Sequence, residues 1–501
     1  MVPQPPAGLP STSDNCKGVP WLCLERKPKG INADQKAMRF LVCPNPLKVE
    51  RGMNSRKRVF TALATTVVIA LTGCPNGNEP SDNNSQGGTS NGMGNTLAKQ
   101  LEWLRENAQS GGTYTALVSI DESISPAQAA LPTGRNNLTI TLSGTGAMRT
   151  VSLSQNGNLF AVGSGVTLVL DGNVTLKGRG GASLAMQNNI HLVRVDGGGA
   201  LVMNHGARIT GNVNANVEHS LAPGRRGGGV RVNQGGTFTM NGGEIHGNSD
   251  IAGGYGGGVL VAGGGVFNMH GGTIFGNRVS FAGAGVSILE GGTFDMHGGS
   301  VSENDSGGFG GGGVDNSGGT FNMHGGSVSG NTAGGHGIGV RNNGGTFNMH
   351  GGVISGNVGI LGSNSHGGGV SNNWGTFTMY GGTISGNTAA GMAGQGGGVA
   401  NFTNGIFNMR GGAISGNTAA LGGGVSNGDG SFRISNGIIH GNEATLPADL
   451  RNTGTLGHAA LSNNFGIVQH GTFSLAGNFS SLGTLGITNN TIRVVNGELL
   501  P

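Results

Sequence analysis

A repeat of 25 to 30 residues constrains this chain more than any other feature of its sequence. One phenylalanine marks the same place in each repeat: Phe238, Phe267, Phe294, Phe321, Phe347, Phe377, Phe407 and Phe432. Each unit contains three short strand candidates separated by tight turns, and residues 311–331 show them as GGGVDN, TFNM and SVSGN. Three strands in a period of this length predict one coil of a parallel β-helix.

Glycine supplies 106 of the 501 residues, and this density narrows the choice of fold. Because there is no Gly-X-Y period, the chain is not collagen, and its regularly placed Val, Phe, Met and Ile argue against a disordered chain. Helical repeats are disfavoured because each glycine destabilises a helix by about 1 kcal/mol relative to alanine. We therefore predict an all-β solenoid of about 26–30 residues per coil.

Side-chain alternation assigns an inner and an outer face to each strand. In TFNM, Phe and Met fall on one side and Asn on the other, so we predict that the phenylalanines from Phe238 to Phe407 form a core ladder. The asparagine of the recurring SGN should form a second ladder at a turn, because Asn tolerates left-handed backbone and its amide can bond to neighbouring coils. This ladder comprises Asn248, Asn277, Asn304, Asn331, Asn357, Asn387, Asn417 and Asn442.

The region before the repeats has the order of a secretory signal. A basic cluster at residues 56–58 precedes a short apolar run over 59–71, and LTGC then ends at Cys74. This order predicts a signal peptide over 53–73, with residues 1–52 as a mis-assigned upstream extension. LTGC resembles the lipobox of bacterial lipoproteins, in which the cysteine becomes the lipidated first residue, so the resemblance makes Cys74 the expected lipidation site. The other three cysteines precede the signal, which leaves no partner for a disulfide.

The rest of the chain divides into a tether, a cap and the repeats. Residues 74–95 are rich in Asn, Gly and Ser without apolar periodicity, and are predicted to be a flexible tether. Residues 96–112 are predicted to be a helix that begins at Thr96 and covers the open end of the repeat stack. The β-helix is predicted over 113–501, with explicit repeats in 227–442 and degenerate coils at both ends.

The net charge changes when the signal region is removed. The whole chain carries +4, but residues 1–73 hold 11 of the 28 Lys and Arg and 4 of the 24 Asp and Glu. The remainder has 28 − 11 = 17 basic and 24 − 4 = 20 acidic residues, a net charge of −3. A nucleic-acid partner is therefore not indicated. The expected partners are a membrane, through the lipid anchor, and a host protein or glycan; no cofactor is expected.

Several phrases carry a resemblance to known surface proteins. LVLDGNVTLKG at 168–178, GGTFTMNGG at 235–243 and ISGN at 354–357 resemble the right-handed parallel β-helix (pectin-lyase-like) repeats of treponemal repeat lipoproteins. GGAI at 411–414 is similar, more loosely, to repeats of chlamydial polymorphic outer-membrane proteins. The resemblance covers roughly residues 96–501. It implies a right-handed parallel β-helix and a cell-surface location, and it carries little information about activity.

An outward-facing histidine column is the first candidate for chemistry. It consists of His270, His297, His324 and His350. Imidazoles one coil apart could share a metal ion, since a Zn–N bond is only about 2.0–2.1 Å long. The same column reads Asn241, Tyr380 and Arg410 in other repeats, which favours a solvated surface position.

A second candidate is the acidic segment ENDSGGFGGGGVD, which holds Glu303, Asp305 and Asp315. Pectate-lyase-type enzymes on this fold hold calcium with acidic residues and abstract a proton with a basic one, and Arg278 and Arg341 lie on neighbouring coils. An ordinary acidic loop is the simpler interpretation, because nothing in the sequence makes these residues converge.

The aromatic residues Trp374 and Tyr380 lie close together in the sequence and could form a small sugar-stacking spot, although packing at a turn is the simpler role. Taken with the repeats and the signal, the sequence favours an outer-membrane or cell-surface lipoprotein. We expect a non-enzymatic β-helix scaffold for adhesion or host interaction, with no catalytic residue assigned. The alternative is a polysaccharide lyase-like enzyme or a glycan-binding module on the same β-helix.

Overall fold

The computed structural model describes residues 94–215, 227–360, 365–428 and 430–445, and the short outlying strands Gly87–Gly88, Phe465–Gln469, Thr472–Phe473, Ile492–Val495 and Glu498–Leu500. The predicted signal peptide, Cys74 and nearly all of the tether lie outside these ranges. The chain divides into two units, 1–81 and 82–501, and every described residue belongs to the second.

The described part is a parallel β-helix of about 11 turns with about 28 residues per coil, which confirms the predicted fold class. Most of the central coils contain four strands where three were expected, as in Val314–Ser317, Thr320–Met323, Ser327–Ser329 and Thr332–Ala333. We call these the Val, Phe, Ile and short strands. The additional short strand has only two residues, so it left no alternating pattern in the sequence.

The Phe and Ile strands form two parallel ladders of one 27-stranded sheet. The Phe strands are Thr113–Val118, Leu138–Gly144, Val166–Asp171, Ala200–Met203, Thr237–Met240, Val266–Met269, Thr293–Met296, Thr320–Met323, Thr346–Met349, Thr376–Met379, Ile406–Ser415 and Ser431–His440, the last two running on into the Ile ladder. The Ile strands are Glu122–Ile124, Arg149–Leu153, Val174–Lys177, Arg208–Thr210, Glu244–His246, Thr273–Phe275, Ser300–Ser302, Ser327–Ser329, Val353–Ser355 and Thr383–Ser385.

The Val strands stack into a separate ten-stranded sheet. They are Phe160–Val162, Val193–Val195, Val230–Val232, Val259–Val261, Val286–Leu289, Val314–Ser317, Val340–Asn343, Val370–Asn373, Val399–Phe402 and Val425–Asn427. The short strands form a sheet of six and a pair: Val213–Asn214, Ser249–Asp250, Arg278–Val279, Asp305–Ser306, Thr332–Ala333 and Val358–Gly359, with Thr418–Ala419 and Glu443–Ala444.

Strand register keeps equivalent residues of successive repeats side by side. Phe294 pairs with Phe321, and Met296 with Met323, in parallel alignment. The eight repeat phenylalanines are fully buried, and their rings stack with centroids 4.7 to 5.0 Å apart and planes within 7°. The spacing equals the distance between adjacent strands, so one ring fills each layer of the core.

Glycine turns let the coils approach closely at the end of each Phe strand. Gly326 has φ +78°, and a Cβ there would lie 2.7 Å from the Gly299 carbonyl oxygen and 2.8 Å from the Met296 Cε. A side chain at this corner would therefore clash with the neighbouring coil while straining its own backbone. This explains why each TFNM-type strand is followed by a Gly-Gly pair.

The one α-helix of the described residues covers the N-terminal end of the stack. It spans Leu97–Asn107, so it ends earlier than the predicted 96–112, because Ala108 is already extended with ψ 136°. Leu97, Leu101 and Leu104 are fully buried in the same core as the phenylalanines. The Gln100 amide donates to the Leu117 carbonyl at 2.9 Å and accepts from its N–H at 2.8 Å, which satisfies backbone groups of the first coil.

Candidate functional site

The predicted asparagine ladder is buried inside the turn between the Ile and short strands, with no member more than 4 % exposed. Asn304 shows its bonding pattern. Its backbone N–H and its Nδ2 both donate to Asn331 Oδ1 at 3.0 Å, and Nδ2 also donates to the Ile274 carbonyl at 3.0 Å. Each side chain thus ties together three coils, and the ladder's contribution is to structure.

The four column histidines lie exposed at the end of successive Phe strands. Their ring centroids are 4.7 to 4.9 Å apart. Tyr380 continues the stack 4.7 Å from His350, and the Arg410 guanidinium lies 5.6 Å from the Tyr380 ring centre. We call this row, from His270 to Arg410, the imidazole stripe. Because the ring faces are stacked on each other, the stripe presents ring edges and nitrogens to solvent.

Ring spacing in the stripe does not suit a shared metal ion. With bonds of about 2.0–2.1 Å, two nitrogens on one zinc can be at most about 4.2 Å apart, and the centres of these nearly parallel rings are farther apart than that. Within the described ranges, no group of three or more His, Cys, Asp or Glu side chains could hold a metal ion. The stripe therefore offers hydrogen-bonding ring edges at the surface.

Of the acidic candidates, Asp305 and Asp315 lie on separate strands, and each pairs with a different arginine. Asp305, on a short strand, lies 3.3 Å from Arg278 Nε in an ion pair. Asp315, on a Val strand, is fully buried and accepts from Arg341 Nη1 at 2.8 Å. Glu303 occupies the corner before the asparagine ladder with φ 56°. Each arginine of the proposed lyase arrangement thus neutralises a different carboxylate.

A groove of about 440 Å³ opens beside the Val strands of four successive coils. Its aromatic lining is Phe309, Trp374 and Phe402, and its polar lining is His336, Arg341, Asn343, His366, Asn373, Gln395 and Thr403. We call it the Trp374 groove. It brings together residues almost a hundred positions apart in the sequence, because one coil contributes Phe309 and each of the next three coils contributes three residues.

Trp374 occupies a corner that most other coils give to glycine. The equivalent residues, two before the Phe strand, include Gly264, Gly318 and Gly344, with φ from 72° to 81°. Trp374 keeps this left-handed backbone, with φ 53°, and its side chain is 61 % exposed. A bulky residue at positive φ is strained by about 1–3 kcal/mol, and strain of this kind concentrates at functional sites.

The structure places Trp374 and Tyr380 apart. They flank opposite ends of the strand Thr376–Met379, so that Trp374 lines the groove and Tyr380 belongs to the imidazole stripe. Six extended residues span about 20 Å, which is too far for one sugar ring to contact both. The groove is therefore the aromatic site that the sequence did not reveal.

Two histidines in the groove are partly buried and stack on each other. The His336 and His366 centroids are 4.8 Å apart, and the His366 ring meets the edge of Phe402 at 5.4 Å. The Nδ1 atoms of both are buried without a hydrogen-bond partner among the described residues. Burial lowers the pKa of His366 to about 4, with His336 as a further cause. Burial, followed by the Arg341 charge, lowers the pKa of His336. Both rings are therefore neutral near pH 7.

The groove's one lining charge is compensated. Arg341 is only 15 % exposed as a side chain, and the Asp315 that it pairs with is completely buried. Asp315 also accepts from Ser317 Oγ at 2.9 Å and Ser287 Oγ at 3.4 Å. The carboxylate is satisfied from three sides, so the pair fixes the guanidinium without leaving a net charge.

A second asparagine ladder, absent from our sequence analysis, runs beneath the groove. It consists of Asn316, Asn342, Asn372, Asn401 and Asn427, all with 0 % exposure and linked by Nδ2–Oδ1 bonds of 2.6 to 2.8 Å. Asn372 Nδ2 also donates to the Gly375 carbonyl at 3.1 Å, which holds the corner that carries Trp374. The available signal in the sequence is the asparagine two residues after the Val of GGGV, which alternation places on the same inner face as that Val.

Comparisons of the chain with protein-family models, with curated proteins and with solved structures gave no match. No helix within the described ranges is long and apolar enough to cross a membrane.

Acidification should destabilise the groove through His366. The unfolded chain binds a proton near the ordinary pKa of 6.5, whereas folded His366 binds one only near its lowered pKa of about 4. The free energy of unfolding is therefore expected to fall as the pH drops from about 6.5 to 4, and to be independent of this group above pH 7.5. His366→Gln installs the residue that the next coil carries at this position. This variant should show a weaker pH dependence of the free energy of unfolding. Equal slopes for wild type and variant in urea unfolding across this range would contradict the assignment.

Proposed function

We propose that this protein is a non-enzymatic binding scaffold, displayed on the bacterial surface as a lipoprotein and used for adhesion. The imidazole stripe is the observation that carries the proposal. Six consecutive coils present a ring or a guanidinium at the same exposed position, so the surface repeats along the axis instead of converging on one centre. A partner would be held by many weak contacts.

The dimensions suit an extended interaction. At about 4.8 Å per coil, eleven turns project about 50 Å, and the stripe covers about 24 Å of that length. The coils are locked by two asparagine ladders and a phenylalanine stack, so the exposed columns are held in fixed register. A rigid array loses little conformational entropy when it binds, which favours repeated weak contacts.

Surface display rests on the sequence, through the signal peptide over 53–73, the tether over 74–95 and the lipobox-like LTGC at Cys74. It is tested by incorporation of a labelled fatty acid together with protease treatment of whole cells. Wild type is expected to take up label and to be cleaved on intact cells, and Cys74→Ala to lose the label. Uptake of label by Cys74→Ala, or protection of the wild-type protein from protease, would refute surface anchoring.

Adhesion through the stripe predicts the behaviour of a paired substitution. His297→Asn with His324→Asn installs the residue found at this column in Asn241, so folding should change by no more than about 0.5 kcal/mol. Cells that display this paired variant are expected to attach to an epithelial monolayer severalfold less than cells that display the wild type. The matched control is Arg278→Ser, on a short strand with 67 % of its side chain exposed. Equal attachment of the paired variant and wild type would show that the stripe is not the adhesive surface.

The alternative is a polysaccharide lyase-like enzyme on the same scaffold, and the observation in its favour is a groove that holds Arg341 and two histidines. The enzymatic alternative is weakened because Arg341 already pairs with Asp315, whereas proton abstraction needs an unoccupied base. The assay is depolymerisation of polygalacturonate with and without calcium. Turnover that is lost in Arg341→Lys would replace the scaffold proposal with the enzymatic one.

A further inference from the structure

We propose that the Trp374 groove is a binding site for an uncharged glycan chain. The inference rests on the proposed function, since it names the class of one partner of the scaffold, and it assigns that partner to a place separate from the imidazole stripe. The groove combines an exposed indole, fixed side-chain amides and no net charge across several coils.

The exposed indole supplies the apolar platform. A sugar ring has one or two faces of C–H groups, and tryptophan offers a broad flat surface for them at little cost in side-chain entropy. Trp374 is held by its backbone, because its N–H donates to the Thr403 carbonyl at 3.1 Å and the second asparagine ladder fixes the next residue. Backbone hydrogen bonds therefore hold the corner, and the exposed surface of the indole is available to a ligand.

The polar lining suits hydroxyl groups, which donate and accept hydrogen bonds at once. Asn343, Asn373 and Gln395 each carry an amide with both capacities, on three successive coils. Gln395 Oε1 accepts from Ser426 Oγ at 3.1 Å, so the orientation of that amide is fixed.

The charge balance selects an uncharged glycan over an acidic one. Arg341 is neutralised by Asp315, and both histidines are neutral near pH 7 because burial lowers their pKa. From residue 365 to 428 the sequence has one charged residue, Arg410, and it lies in the stripe. The described lining therefore offers no unpaired cationic side chain that could compensate a polyanion for the water it loses on binding.

The shape of the groove favours a short stretch of chain over a single ring. Its lining comes from four consecutive coils, which corresponds to about 14 Å along the axis. Asn343 and Asn373 occupy equivalent positions on adjacent coils, so two successive sugars of a polymer could meet similar amides. This is the same principle of repeated contacts that underlies the scaffold.

The test is affinity electrophoresis of the purified protein through gels containing mannan, dextran, xyloglucan or mixed-linkage β-glucan, with polygalacturonate as the acidic comparator. The key variant is Trp374→Gly, which restores the residue used at this corner in other coils and should fold at least as stably as wild type. Leu184→Ala, which removes a side chain of a residue that is 65 % exposed and lies outside both the groove and the stripe, is the matched control.

At least one uncharged polymer is expected to retard the wild-type protein independently of salt. Trp374→Gly should bind it about tenfold more weakly or worse, whereas Leu184→Ala should bind it as the wild type does. The proposal is overturned if no uncharged polymer retards the wild type, if Trp374→Gly binds equally well, or if only polygalacturonate binds and salt abolishes it. Because the assay uses protein in solution, its failure is distinct from a failure of surface anchoring or of stripe-mediated adhesion.

Discussion

Replacing Phe321 with alanine is expected to lower the free energy of unfolding by about 3–5 kcal/mol. The ring is fully buried and stacks between Phe294 at 5.0 Å and Phe347 at 4.8 Å. Truncation removes buried apolar surface and opens a cavity between the two neighbouring coils. The coils cannot move together to close this cavity, because the asparagine ladders and the strand hydrogen bonds fix their spacing. Both neighbouring rings lose a stacking partner as well.

The measurement is equilibrium urea unfolding followed by far-UV circular dichroism. Phe321→Leu keeps most of the volume and should cost about 1 kcal/mol, and Phe309→Ala removes a ring that is 59 % exposed and should cost about 0.5 kcal/mol or less. If Phe321→Ala lowered the free energy of unfolding no more than Phe309→Ala does, the phenylalanine stack would not be the core.

Asn331→Ala is expected to destabilise the chain by about 2–4 kcal/mol, although no apolar contact is lost. Asn331 Oδ1 accepts from the backbone N–H and the Nδ2 of Asn304, and Asn331 Nδ2 donates to the Val301 carbonyl at 3.1 Å. Alanine leaves these groups buried without partners, and each unmet group costs about 1–3 kcal/mol. The site is also completely closed to solvent.

Asn322→Ala is the matched control for this effect. It removes an asparagine of the same repeat that lies partly exposed and bonds to Asp295 and Asn348 at its surface. Water can replace those partners, so a change of about 0.5 kcal/mol is expected. Hydrogen exchange should show faster opening around Asn331→Ala in the turns of adjacent coils. A similar decrease in the free energy of unfolding for Asn331→Ala and Asn322→Ala would argue against a structural role specific to the buried ladder.

The coil architecture could be predicted from the sequence because each coil of a solenoid repeats the same pattern of residues. Phe238 to Phe432 gave the spacing, and strand alternation placed Phe and Met inside and Asn and His outside. The helix was placed from its leucine spacing, although it ends at Asn107 because Ala108 adopts an extended backbone. Two-residue strands such as Thr332–Ala333 could not be seen, since they are too short to show an alternation.

The groove could not be predicted because its lining is distributed over four coils. Sequence proximity suggested that Trp374 and Tyr380 act together, but a strand between them directs them to different surfaces. Asn372 and its equivalents occupy inward positions that alternation assigns to apolar residues. One signal was present: Trp374 stands in a column otherwise rich in glycine, and only the known φ of that corner shows how unusual this is.

A crystal structure of the protein with the neutral oligosaccharide that binds it best would show directly whether the Trp374 groove is a glycan site. We expect a parallel β-helix in which one sugar ring lies flat on the Trp374 indole, at about 4 Å, with its hydroxyls bonded to Asn343, Asn373 or Gln395. A sugar bound elsewhere, such as on the imidazole stripe, or a Trp374 side chain packed against its own chain, would show that the groove is not the glycan site.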